Sequence, residues 1–147
     1  QGGATCDALV ACGKFEVFGT TRTGKSAKLE AKGIKAVPFI YGDAASAEAA
    51  IASSGAEMVW FTTMMAKTRA IEAGHGFEIV EACKKAGVKF VCFSSVADAD
   101  KAYDNVTHFK SKLDIEERLK ASGLAYSILR PVAFFENFDD PANWNPP

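Results

Sequence analysis

Strand-like and helix-like stretches alternate along this 147-residue chain as far as residue 130, which predicts an α/β fold built on a doubly wound parallel sheet. Three observations carry that prediction. The apolar run EMVWFT at 57–62 is continuous rather than alternating, as expected of a strand covered on both faces, and VKFVCF at 88–93 reads as the next strand. Glycines at 13, 33, 87 and 123 each stand where a helical stretch should stop. Between successive strand-like runs lies a segment of helical pattern, so each connection reads as a crossover.

Taken in order, Gly2-Gly3 begins a helix that runs through 5–11 to Gly13, and FEVFGT at 15–20 is a strand. A helix at 24–32 ends at Gly33, a strand spans 35–40, and Tyr41-Gly42-Asp43 makes a turn into the small-residue helix 45–54. After the strand at 57–62, residues 63–76 read as a polar, flexible piece. Phe77, Val80, Cys83 and Ala86 then repeat at helical spacing up to Gly87. The strand at 88–93 delivers Ser94-Ser95 to its carboxyl end, and 96–105 is an acidic surface loop. A helix opened by Thr107 carries Leu113 and Leu119 on its sheet-facing side and stops at Ser122-Gly123. A strand at 125–130 follows, punctuated by Pro131, and the tail DDPANWNPP has only turn chemistry.

Composition narrows the function classes. A chain with 48% hydrophobic and 24% charged residues suits one globular domain. A formal charge of −1 offers no long-range attraction to nucleic acid or anionic lipid. No apolar run approaches the roughly 20 residues that a spanning helix requires. The first residues show no targeting pattern, and starting inside a motif they carry no information about it. Cys6, Cys12, Cys83 and Cys92 lack any C-x-x-C spacing and have only His75 and His108 to help them, so a zinc site is not expected. Four reduced thiols, mostly buried, point to a reducing compartment, cytoplasm or an organelle stroma or matrix.

The stretch HFKSKLDIEERLKASGLAYSILRPVAFFENF resembles the corresponding segment of the NmrA-like proteins, an atypical branch of the short-chain dehydrogenase/reductase superfamily that includes isoflavone-reductase-like enzymes. QGGAT at the start, TTRTGKS after the first strand and AGVKFVCFSS fit the same family, so the likeness covers nearly the whole chain. It implies an NAD(P)-binding Rossmann sheet in the order 3-2-1-4-5-6, which needs six strands where five are counted. The first, central strand is expected to precede Gln1, and the substrate portion to follow the end of the chain. Residues 1–138 are then an incomplete NAD(P)-binding domain, and 139–147 a loop or the start of the remaining portion.

Candidate site residues follow from both sources. Gln1, Gly2 and Gly3 match the end of the family's phosphate loop, where glycines let backbone amides approach a pyrophosphate. Arg22, two residues beyond the strand, has the charge that suits the 2′-phosphate of NADP, with Lys25, Ser26 and Lys28 nearby. Asp43 matches a G-D turn beside the adenine, and is equally a helix N-cap. Thr62 and Thr63 end one strand at the carboxyl edge, and Ser94 and Ser95 end the next; the resemblance places the threonines near phosphates and ribose. Pro131 and Asn137 belong to the segment that the family sets on the nicotinamide side, although the neighbouring Phe134 and Phe135 suit packing as well.

Catalysis turns on His108 and Lys112, which share a helix face with Phe109. The superfamily's Y-x-x-x-K motif reads here as His108-Phe109-Lys110-Ser111-Lys112, with histidine in the tyrosine's place. Histidine can move protons near neutral pH, yet at a helix start it is more often a packing or capping residue. By resemblance Lys112 is either the general acid or base of an enzyme or a ribose and nicotinamide contact in a sensor, with a solvated surface lysine as the plain alternative. Tyr103, in the preceding loop, is a spatial substitute for the absent tyrosine. The expected function is therefore an oxidoreductase using NADP(H) in preference to NAD(H) on a small organic substrate. Two alternatives stand beside it: a non-catalytic NADP(H)-sensing regulator, and an accessory subunit of a larger assembly with a protein partner.

Overall fold

The structure is a computed structural model, and it describes residues 1–101, 106–135 and 137. Five helices and five strands alternate among them: α1 Gly2–Cys12, β1 Phe18–Thr21, α2 Ala27–Glu30, β2 Lys35–Pro38, α3 Ala44–Ser54, β3 Met58–Phe61, α4 Arg69–Ala86, β4 Phe90–Ser94, α5 Thr107–Lys120 and β5 Ala125–Leu129. All strand pairings are parallel. β1 pairs with β2, β3 with β4, and β4 with β5. The strands therefore stand as a two-stranded sheet and a three-stranded sheet, and among the described residues no strand joins β1 to β3. These are the outer parts of a Rossmann order, β2-β1 on one side and β3-β4-β5 on the other.

The core lies where α4 and α5 cover the three-stranded sheet. Val80, Cys83, Val91, Phe93, Ile115 and Leu119 are fully buried there, and Phe61 stacks on Phe93 with ring centroids 4.7 Å apart. Burying a side chain the size of Phe93 contributes about 2–3 kcal/mol. α4 and α5 approach closely because α4 carries glycine at the crossing: a Cβ on Gly76 would stand 2.5 Å from Ile115 atoms. Burial also lifts the Cys83 thiol to about 12, which makes it inert.

Several local expectations are corrected. α4 begins at Arg69, inside the stretch read as flexible, because Thr68 caps it by accepting a hydrogen bond from the Ile71 amide at 3.3 Å. α2 is a single turn, capped by Ser26. β3 is less covered than its apolar run suggests, with Met58 exposed, since its outer side pairs with no described strand. Of the four thiols only Cys83 is buried, and Cys12 is exposed. The acidic loop is not wholly superficial, for Ala99 is buried within it. Tyr103 and residues 138–147 lie outside the described residues.

Candidate functional site

Parallel pairing of Phe61 with Phe93 makes β3 and β4 end side by side, so Thr62-Thr63 and Ser94-Ser95 emerge together at the carboxyl edge. The edge is stitched across: Thr62 Oγ1 donates to the Ser94 carbonyl at 3.0 Å, and Tyr41 Oη donates to the Thr62 carbonyl at 2.8 Å. Ser94, buried at 2% exposure, donates its hydroxyl to Gln1 Oε1 at 2.5 Å. That bond draws the start of α1 to the strand ends, with Gly2 beside the Trp60 ring. The first intrahelical bond of α1 runs from the Thr5 amide to the Gln1 carbonyl, which leaves the amides of Gly2, Gly3 and Ala4 ahead of the helical ladder.

Lys112 reaches the same edge from α5. Its Nζ donates to the Thr63 carbonyl at 2.7 Å and to Thr63 Oγ1 at 2.6 Å, stands 3.0 Å from Glu72 Oε1, and lies 5.8 Å from the centre of the Phe93 ring. Burial holds the amine below the ordinary lysine range, while the hydrogen bond and charge of Glu72 oppose that shift without cancelling it. Glu72 itself is 1% exposed. It accepts from Thr63 Oγ1 at 2.9 Å and from Ser111 Oγ at 2.8 Å. Glu72 lies on α4 one turn before Gly76, so the close α4–α5 approach at Gly76 brings it against Ser111 and Lys112.

A second buried carboxylate organises the neighbouring strand end. Glu116 accepts from Ser95 Oγ at 2.6 Å and from two nitrogens of Arg130 at 2.9 and 2.6 Å, and Arg130 also donates to Asp100 at 2.8 Å. Burial pushes the Glu116 carboxyl up, but the hydrogen bonds of Arg130 and Ser95 outweigh it and hold the group below its ordinary value. Ser95 is thereby committed to a structural bond.

The predicted residues thus divide. Gln1, Thr62, Thr63, Ser94 and Lys112 are brought together by direct contacts. Arg22 and Lys25 stand exposed after β1, where the Lys25 carbonyl accepts from Thr21 and Thr23 hydroxyls at 3.4 Å. Asp43 takes its N-cap role, accepting from the Ser46 amide at 3.0 Å. His108 is exposed with its ring edge-on to Phe109, and no described contact joins it to the Lys112 ammonium. Pro131 accepts from the Ala97 amide at 2.9 Å, and Asn137 is exposed. Glu72, Ser111, Glu116 and Arg130 were not singled out by sequence reasoning. With the helix start placed at Thr68, Glu72 would have stood out as an acid in the otherwise apolar stripe of Gly76, Val80 and Cys83.

The model of the NmrA-like family matches residues 1–145. The chain belongs to that family. Solved structures resemble this NmrA-like chain throughout its described core. The triphenylmethane reductase of Citrobacter sp. superposes with a TM-score of 0.79 at 19% identity, over 94% of this chain and 48% of that one. An NADPH-dependent quinone oxidoreductase of Escherichia coli, solved with NADPH, gives 0.74 at 24% identity over 91% of this chain and 47% of that one. The Bordetella bronchiseptica enzyme WbmH, in complex with NAD+, gives 0.69 at 17% identity over 88% and 52%. At these identities the likeness establishes the Rossmann-type fold, and the NmrA-like chain spans about half the length of these structures.

Proposed function

We propose that this chain binds NADP(H) along the carboxyl edge of its strands and supports hydride transfer between that cofactor and a small organic substrate. The observation that carries the reading is the convergence of the α1 amides, the Thr62-Thr63 and Ser94 strand ends and the Lys112 ammonium on one edge. This donor set fits a dinucleotide: leading amides of a helix suit phosphate oxygens, and hydroxyls with an ammonium suit ribose hydroxyls. Exposed Arg22 and Lys25 after β1 supply the positive charge that a 2′-phosphate requires. The neighbouring reductases solved with NADP(H) and NADPH favour the same choice, while WbmH was solved with NAD+.

When bound, a nicotinamide supplies the hydride, and the protein's part is placement and protons. The Lys112 amine holds its proton at Nζ, 2.7 Å from the Thr63 carbonyl, with burial making that proton easier to give up. Met64 and Met65 after β3 are 68% and 76% exposed, and Phe135 after β5 is 87% exposed, so flexible and aromatic apolar surface flanks the edge. That surface suits a conjugated aromatic acceptor of the quinone or triarylmethane kind. The test is NADPH oxidation measured against a panel of quinones and triphenylmethane dyes. Lys112→Ala is expected to lower kcat at least a hundredfold while the nucleotide still binds. Unchanged kcat in that variant would contradict the role of Lys112.

His108 favours a second reading. It occupies the tyrosine's place in the helical register yet is exposed, and the Ser95 hydroxyl beside the edge is committed to Glu116. A site short of a proton donor beside the lysine suits a sensor that binds NADP(H) without turnover. Saturable binding with no oxidation of any substrate in the panel would select it.

A further inference from the structure

We propose that Glu72 is the positioning residue for Lys112, fixing the ammonium of α5 against the end of β3 from the neighbouring helix α4. The inference deepens the reading of Lys112 given above and rests on it for its functional meaning. Its structural basis is independent of that reading. Glu72 is 1% exposed, and both carboxylate oxygens are occupied: Oε1 by Thr63 Oγ1 at 2.9 Å and Lys112 Nζ at 3.0 Å, Oε2 by Ser111 Oγ at 2.8 Å. A carboxylate taken so far from water costs several kcal/mol unless it is paired and hydrogen-bonded, and here both conditions are met.

The ammonium is held from two sides: Nζ donates to the Thr63 carbonyl and to Thr63 Oγ1, and it pairs with Glu72 Oε1 at 3.0 Å. Thr63 Oγ1 accepts from Lys112 and donates to Glu72, so its hydroxyl couples the two charges in one geometry. A flexible four-carbon side chain is thus held at three points by two other elements. Without Glu72, the amine would keep only neutral partners and the burial that disfavours its charge. Arg69 of α4 pairs with Asp114 of α5 at 2.6 Å on the half-exposed outer side, and His108 is exposed one turn earlier on α5.

The test reads the Lys112 amine directly, by 13Cε NMR titration of the full chain, with Lys112→Met identifying the resonance. Glu72→Gln, which keeps shape and hydrogen-bonding atoms, is expected to lower the Lys112 pKa by about one pH unit or more, and Glu72→Asp by less. A Lys112 titration unmoved in folded Glu72→Gln overturns the proposal. Should Glu72→Gln fail to fold, thermal stability supplies the same test. Lys112→Met leaves a buried carboxylate unpaired, so adding Glu72→Gln to it should restore much of the lost stability, and absence of any recovery overturns the proposal.

NADPH titration of the same proteins separates the two claims. A roughly tenfold weaker Kd in Glu72→Gln than in wild type is expected, because the amine released from its place beside Thr63 serves ribose hydroxyls less well. Wild type that binds no NADPH, while its Lys112 titration responds to Glu72→Gln, would sink the cofactor reading and leave the pairing standing. Wild type that binds NADPH with an unresponsive Lys112 would do the reverse.

Discussion

Arg130 illustrates how a single side chain can close a strand end. Its guanidinium grips buried Glu116 through two nitrogens and reaches Asp100 with a third, tying β5 to α5 and to the loop after β4. Because the Glu116 carboxyl is held below its ordinary value of 4.5, the pair contributes stability that is fully present above that value and is lost as pH falls through the lower folded-state value. Arg130→Ala is expected to cost on the order of 2–3 kcal/mol near neutral pH. With only Ser95 and Lys120 left to oppose burial, the carboxyl should also titrate higher, so acid unfolding should begin at a higher pH. Denaturant melts at pH 7 and at pH 4 check this; equal losses at both would show that packing, not the ion pair, accounts for the effect. None of this was legible from residue types alone. Arg130 reads locally as a strand terminus and Ser95 as an edge hydroxyl, and their partner lies 14 and 21 residues away in sequence. Lys112 was legible because a motif register marks it. Its counter-charge was not, since the polar residues around the Thr68 cap hide the start of α4 in the sequence.

The pairing of α4 with α5 governs the site at the scale of elements. Gly76 lets the two helices approach until Ile115 occupies the space of a side chain, and this closeness sets Glu72 against Ser111. Gly76→Ala is expected to destabilise the fold by about 1–3 kcal/mol despite alanine's better helix propensity, because the new methyl overlaps Ile115. Thermal melts should then show relief in Gly76→Ala combined with Ile115→Ala, as the two changes share one space. An additive double variant would mean that the crossing relaxes freely and that the glycine is not required. Strand positions and most helix ends were legible from glycine stops and apolar runs, whereas α2 shrank to one turn between Ser26 and Gly33. Beyond Glu30 the chain tightens into three-residue turns, the Lys32 amide donating to the Leu29 carbonyl and the Gly33 amide to the Glu30 carbonyl, and it leaves through left-handed Gly33.

Alternation of strand and helix, legible in one sequence, implies the parallel pairing found among the described strands, with β3 and β4 side by side. What it left unread were the tertiary contacts that recruit residues to their shared edge: the Gln1 to Ser94 bond, and the hold of Glu72 and Thr63 on Lys112. We propose that this shared edge binds a dinucleotide and prefers the one bearing a 2′-phosphate. Trp60 lies on β3 beside the start of α1, so its emission should transfer to a bound reduced nicotinamide. The decisive measurement is a fluorescence titration of the protein with NADPH and, separately, with NADH. Saturable transfer is predicted with both, NADPH binding at least tenfold more tightly and losing that advantage in Arg22→Ala. Absence of saturable binding with either nucleotide would contradict the account.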